Sequence, residues 1–481
     1  MIDGLKPYPA YKDSGVPWLG QVPEHWGIER AKWLFRKMNR EVCEDDGVVT
    51  CFRDGMVTLR KNRRERGFTE ALKEIGYQGV HKGDLVIHAM DAFAGAVGVS
   101  DSHGKCTPVY SVCRPSANAN PWFYAHIVRE MARSQWILAL AKGIRERSTD
   151  FRFDAFASQF VPLPPRAEQD ALARFLDYAD RRIRRYLVAK RKLIALLNEQ
   201  KQAIINQAVT RGLDPNVRLK PSGVEWQGDV PEHWSVMPLR RVTLERCDGP
   251  FGSGLKSAHY TDHGIRVVRL QNIGQGEFQG SDAAFISPSY YATLGDHTVM
   301  EGDVLIAGLG DENHPAGRSC VAPKDIGPAM VKADCFRFRL DDRRVDPQFA
   351  AHYLSATASA ATQVLSRGAT RQRINLQSMA GRPIAFPMLL EQHQIVARLG
   401  RDLAPLEAAM VRFRTQVEAI REYRTRLIAD VVTGKLDVRE AAANLPEQGE
   451  EAVSVEEEHL LGENCVEDEG AEPEATAEDE T

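Results

Sequence analysis

The chain lacks the marks of metal, disulfide and membrane chemistry. Its eight cysteines (Cys43, Cys51, Cys106, Cys113, Cys247, Cys320, Cys335 and Cys465) form no Cys-x-x-Cys pair and no Cys/His cluster with zinc spacing. That pattern argues against a zinc site or a disulfide framework and leaves free thiols. No stretch approaches the roughly 20 apolar residues of a membrane span, and the opening MIDGLKPYPA has no signal-peptide core, so the sequence predicts a cytoplasmic protein with no membrane partner. Catalytic motifs are missing too. There is no phosphate-binding GxxxxGK[ST] loop and no HExxH. Two fragments come near one. Asn120-Pro121-Trp122-Phe123 has part of the Asn-Pro-Pro-aromatic loop of amino-methyltransferases without its second proline. Phe251-Gly252-Ser253-Gly254 is half of a cofactor loop, but it follows the tight turn Asp248-Gly249-Pro250 and has no βαβ context. The expectation is a chain with no catalytic residue, no metal and no cofactor of its own.

Lys and Arg are absent from 446–481, which holds 15 Asp and Glu; the sequence predicts a disordered, solvated acidic tail there, with mimicry of nucleic acid as the alternative. Removing that tail from the count leaves 62 basic against 51 acidic side chains over 1–445, a surplus of 11 that suits a polyanionic partner.

Glycine is missing between Arg166 and Arg211, and proline between Pro165 and Pro215, so nothing interrupts a long helix there; the helix segment is expected over 166–214, with about 43 helical residues making a rod of about 65 Å before Gly212 and Pro215 end it. Leu172, Leu176, Ala179, Ile183, Leu187, Ile194, Leu197, Ile204 and Ala208 recur mostly at spacings of three and four, a seam that needs a second helix. The same chain supplies it. Glu168-Gln169 returns as Glu391-Gln392, and Val209-Thr210 with Leu213-Asp214 as Val432-Thr433 with Leu436-Asp437, both at an offset of 223. Ile395, Leu399, Leu406, Phe413, Val417, Ile420, Leu427 and Val431 form the second stripe, with Gly400 and Pro405 expected to kink its first turns. SGVPWLGQVPEHW ending at Trp26 recurs as SGVEWQGDVPEHW ending at Trp234, at an offset of 208. His25 and His233 sit identically in these repeats and read as packing or capping residues. The frame is duplicated, and the segments it encloses share little sequence.

The first enclosed segment mixes β-type runs (Val48 to Thr50, Leu85 to Ile87, Val97 to Val99, Val109 to Val112) with turns and a helix over 121–141. The second repeats some of this: Gly302-Asp303-Val304-Leu305-Ile306 matches Gly83-Asp84-Leu85-Val86-Ile87. The predicted fold class is α/β (α+β): two globular domains and two long antiparallel helices forming a coiled coil, in a pseudo-twofold internal repeat. The expected boundaries are a repeat segment 1–26, a globule 27–165, a helix 166–214, a repeat segment 215–234, a globule 235–388, a helix 389–440 and the acidic tail 441–481. If the globules read DNA, unlike globules imply unlike half-sites.

The repeats SGVEWQGDVPEHW and AVTRGLD, with LPPRAEQ leading into the helix, resemble the specificity subunit of type I restriction–modification systems, over nearly everything but the acidic tail. The resemblance implies a non-catalytic subunit whose two target-recognition domains read an asymmetric bipartite site in double-stranded DNA. It further implies assembly with two copies of an adenine methyltransferase subunit and with a restriction/translocase subunit, for defence against foreign DNA. S-adenosylmethionine, ATP and Mg would then belong to those partners. The residues chosen as DNA contacts, for their donors to phosphate and to guanine or adenine edges, are Arg60, Lys61, Arg63, Arg64, Arg66 and Arg145 in the first globule, and Lys256, Arg269, Gln271, Asn272 and Arg371 in the second. Arg181, Arg182, Arg184, Arg185, Lys190, Arg191 and Lys192 on the first helix either touch spacer phosphates or form a solvated face or a subunit contact. A stand-alone methyltransferase with divergent motifs and a coiled-coil scaffold are the competing readings.

Overall fold

The computed structural model describes residues 5–63, 75–140, 150–250, 254–311, 313–365 and 372–446. The expected disordered tail falls outside the described residues from 447 onward. The chain forms two compact units, one of residues 1–191 with 415–481 and one of 192–414. Two helices supply both: Arg166–Arg211, of 46 residues, and Leu389–Val432, of 44. The first unit takes the N-terminal half of one and the C-terminal half of the other, and the second unit takes the remaining halves.

Within each unit the halves run antiparallel. In the first, Leu172, Leu176 and Ala179 share a core with Leu427, Val431 and Val432, and Asp180 accepts from Arg424 Nε at 2.5 Å. In the second, Ile205, Ala208 and Val209 pack with Ile395, Leu399 and Leu403, and Lys201 donates to Glu407 at 2.7 Å. Along the first stripe Leu172, Leu176, Ala179, Leu187 and Ala208 are buried, and Ile183, Ile194, Leu197 and Ile204 are half-buried. Pro405 lies inside a helix assigned without a break, so the turns around it stay helical although one i→i−4 bond is lost.

Each globule carries the same antiparallel four-stranded sheet. Its order is Phe35–Lys37, Tyr110–Pro115, Leu85–His88, Val97–Val99 in the first unit and Thr243–Cys247, Cys335–Leu340, Val304–Ala307, Ser319–Val321 in the second. The matching Gly-Asp turns lead into the buried central strand in both. Gly83 and Gly302 take φ of 90° and 81°, where glycine is favoured. Asp84 accepts from His81 N and Arg40, at 2.8 and 2.6 Å; Asp303 accepts from Met300 N and Arg339, at 2.8 and 2.9 Å.

A helix follows the sheet in each unit, Pro121–Arg133 and Pro347–Ala356. Asn120 accepts from Trp122 N and Phe123 N, and Asp346 from Phe349 N, with proline next in both cases. The Asn-Pro-Trp-Phe stretch is therefore a helix cap. The helix expected over 121–141 is shorter: Gln135, at φ 61°, breaks it before Trp136–Leu140. The fillings differ elsewhere. The first unit has the hairpin Val49–Cys51/Val57–Leu59; the second has a five-stranded sheet in which Ile265–Val268 runs parallel to Ala329–Val331.

The repeated residues make one joint in each unit. Glu168 accepts from Tyr8 Oη (2.7 Å) and Trp26 Nε1 (2.9 Å), and lies 2.8 Å from His25 Nε2. Glu391 accepts from Trp234 Nε1 at 3.2 Å and lies 2.8 Å from His233 Nε2. The two histidines are thus structural, as their placement suggested. The adjoining glutamines, both fully buried, bind main chain in matching fashion. Gln169 accepts from Asn120 N and donates to Asn118 O and Pro164 O; Gln392 accepts from Asp346 N and donates to Arg344 O and Pro387 O. The Glu168 side chain is 5% exposed and that of Glu391 30%. Glu168→Ala should therefore cost about 3 kcal/mol, by stranding buried donors, and Glu391→Ala about 1. Urea unfolding of the two variants measures both, and equal losses would contradict a joint whose strength follows burial.

Candidate nucleic-acid interface

In the first unit the hairpin 49–59 runs into a 3-10 turn, Arg60–Asn62, which carries the start of the basic run. Arg60 is half-buried with Nε toward Thr50 Oγ1 at 3.4 Å, and Lys61 is exposed. Arg63 stacks on the Phe52 ring, 4.5 Å from guanidinium to centroid, and pairs with Asp54 at 2.7 Å. It braces the hairpin, and the pairing with Asp54, together with main-chain hydrogen bonding, holds that carboxyl below its usual range against the opposing effect of burial. Arg64, Arg66, Arg145 and Arg371 lie outside the described residues.

In the second unit Lys256 is exposed at the start of a short turn. Arg269 and Gln271 converge on the half-exposed carboxylate of Asp282. This fork of donors around one carboxylate has the hydrogen-bonding pattern that a guanine edge or a phosphate would exploit in place of the aspartate. Asn272 requires a correction. It is fully buried; its Nδ2 donates to Gln279 O and Asp282 O at 2.9 and 2.8 Å, and its Oδ1 accepts from Arg269 N at 2.9 Å. Nothing is left over for a base, and its function is to shape the loop that presents Arg269 and Gln271. A polar residue beside basic ones reads alike in sequence whether it faces out or in.

The basic run on the first helix is partly laced to its own acids. Arg181 pairs with Asp177 and Arg184 with Asp180, each at 2.7 Å and four residues apart. No three His, Cys, Asp or Glu side chains gather as metal ligands among the described residues. The described cysteines are free, and burial pushes the thiols of Cys106 and Cys320 up to about 12, which makes them inert. No helix among the described residues is long and apolar enough to cross a membrane.

The turn 248–250 behaves as a loop anchor. Asp248 Oδ1 accepts from Gly249 N (2.7 Å) and from Asp334 N (3.0 Å), while Asp334 holds Arg373 at 3.0 Å. Burial raises the Asp248 carboxyl to about 6 despite those main-chain donors. Folded Asp248 thus binds its proton more tightly than the unfolded chain does. The stability this contributes is complete below the unfolded value near about 4 and is lost as pH rises through 6. Asp248→Asn keeps the acceptor and removes the titration. It should raise stability at pH 7 by about 1 kcal/mol, allowing for partial exposure, and flatten the stability profile between pH 4 and 6. Unfolding curves across that range measure it, and an unchanged slope would count against the assignment.

Comparison with known proteins agrees with this geometry. Residues 256–402 match the family model described as the type I restriction modification DNA specificity domain. The specificity subunit of the type I restriction enzyme MjaVIII of Methanocaldococcus jannaschii is 25% identical over 284 residues, covering 58% of this chain and 62% of the relative. That of EcoBI from Escherichia coli is 22% identical over 289 residues, covering 59% and 60%. The matches thus span about three-fifths of each relative's length. A solved structure described as the structural basis of complex assembly and conformational transition of the type I R-M system shares the fold. Its TM-score is 0.58 at 16% identity, over 85% of this chain and 98% of that one.

Proposed function

We propose that this chain, which belongs to the specificity subunits of type I restriction–modification systems, selects the DNA sequence on which such a complex acts and carries out no chemistry itself. The observation that supports this most directly is the duplicated frame around unlike fillings. The same helix-start joint and four-stranded sheet recur, while the hairpin that carries Arg60, Lys61 and Arg63 has no counterpart in the Arg269–Gln271–Asp282 loop. A frame that repeats while its surface diverges is what an asymmetric, two-part target requires of one chain.

On this reading the globules 27–165 and 235–388 are the target-recognition domains, one for each half-site. Arg60, Lys61, Arg63, Arg64, Arg66 and Arg145 serve the first, and Lys256, Arg269, Gln271 and Arg371 the second; Asn272 acts only by shaping its loop. The working assembly adds two methyltransferase subunits and a restriction/translocase subunit, which hold S-adenosylmethionine, ATP and Mg, and it acts in the cytoplasm. Exchanging residues 27–160 for the equivalent segment of another specificity subunit should change one half of the methylated sequence and leave the other half and the spacing intact. Mapping modified adenines in cells carrying the exchange decides it, and change in both halves would refute one domain per half-site.

A further inference from the structure

In the first unit a groove of about 210 Å³ lies between the turn of the hairpin 49–59, the strand Val97–Val99 and the helix Pro121–Arg133. Trp122, 53% exposed, stands at its rim, and His126 and Arg129, one and two turns further along the same helix, line it with Gly55 and Met56. Arg129 has no hydrogen-bond acceptor among the described residues, and burial lowers its affinity for its own proton. The nearby carboxylates have other partners: Asp180 takes Arg424 (2.5 Å) and Arg184 (2.7 Å), Asp54 takes Arg63 (2.7 Å), and Asp101, which lines the groove, accepts from Ser102 Oγ (2.5 Å). Gly55, at φ 90°, makes the arrangement possible, since a Cβ there would stand 2.5 Å from Arg129 Nη1.

The second unit fills the corresponding place differently. His352 occupies the helix position of His126, and Lys201 the long-helix position of Arg424. There a loop of the chain covers the helix. Gln348 donates to Gly276 O at 3.0 Å, and Glu277 brings its carboxylate to Lys201 at 2.5 Å. The position of Arg129 is taken there by Ser355, which donates to Ser319 O at 2.8 Å, so the second unit places no cation where the first has Arg129 beside an open groove.

We infer that this groove seats a backbone phosphate of the DNA beside the first half-site, with Arg129 as its donor and Trp122 packed against the adjoining sugar. The assignment rests on the DNA-reading function proposed above. DNA is favoured as the source because the hairpin that walls the groove also bears Arg53, 61% exposed, and leads into exposed Lys61, so the groove continues a basic edge. His126, pushed down to about 4 by burial and by Arg129, stays neutral and adds no second charge. Such a contact fixes position and carries no sequence information.

The test is duplex binding by the full chain with its methyltransferase subunit, across a salt series, on target and unrelated DNA. Arg129→Met should weaken both duplexes by a similar factor and lower the slope of log affinity against log salt by about one, while Arg129→Lys restores the slope. Thermal melting of both variants controls for folding. Wild-type slope and affinity in a folded Arg129→Met overturn the inference and leave the DNA-reading function standing. So does an unchanged slope with loss of the methyltransferase subunit on purification, which would make the ligand a protein carboxylate. Absence of salt-dependent binding by the wild type would overturn the function itself, and this site with it.

Discussion

The molecule depends on one polar joint, made twice, in which the first turn of a long helix is locked to the globule it serves. Gln169 and Gln392 are fully buried, and each satisfies one main-chain N–H and two main-chain carbonyls from two separate segments. A buried amide with every partner in place fixes geometry more tightly than an apolar contact of equal area, because any displacement leaves several polar groups dry and unpaired. The neighbouring glutamate extends the lock to the PEHW segment. Gly434, at φ 78°, lets the exit of the second long helix run against Pro23 and Trp26, and Gly212, at φ 76°, plays the same part beside Trp234. Each unit is thereby closed on itself by residues that come from distant parts of the chain.

Much of this frame was legible in the sequence, because its signals are periodic or repeated. The absence of glycine and proline between 166 and 211 gave the first helix. The offsets of 208 and 223 gave the duplication, and the paired Gly-Asp turns marked the central strand of each sheet. The limits were local. Gln135 in a left-handed conformation ends a helix whose apolar pattern runs on, and the context that tolerates it is tertiary. Pro405, expected to kink the second helix, lies inside Leu389–Val432, beside Leu403, which is buried in the core of the second unit.

The candidate site was less legible than the frame. Composition identifies where cations are dense but not which of them are already neutralised. Arg63 pairs with Asp54, Arg269 and Gln271 with Asp282, and Arg181 and Arg184 with acids one turn earlier. Arg129 escaped notice for the opposite reason. It lies alone in an amphipathic helix, and only folding brings Gly55 against it and turns the nearby carboxylates toward other partners. A density of charge is a sequence property, whereas an unmet charge is a property of the fold.

That distinction bears on how such a chain can change its target. The frame's hydrogen bonds are made by Glu168, Gln169, Glu391 and Gln392, by their PEHW partners and by main chain, so few of them constrain the side chains on the hairpin 49–59 or the loop 269–282. Substitutions there alter which donors face outward at little cost to the joint, since exposed ion pairs contribute under about 1 kcal/mol each. Residues that shape a loop from within, such as Asn272, are the exception. Replacing Asn272 would unmake the platform on which Arg269 and Gln271 are displayed, so the interior of each loop should resist exchange even where its surface is free to vary.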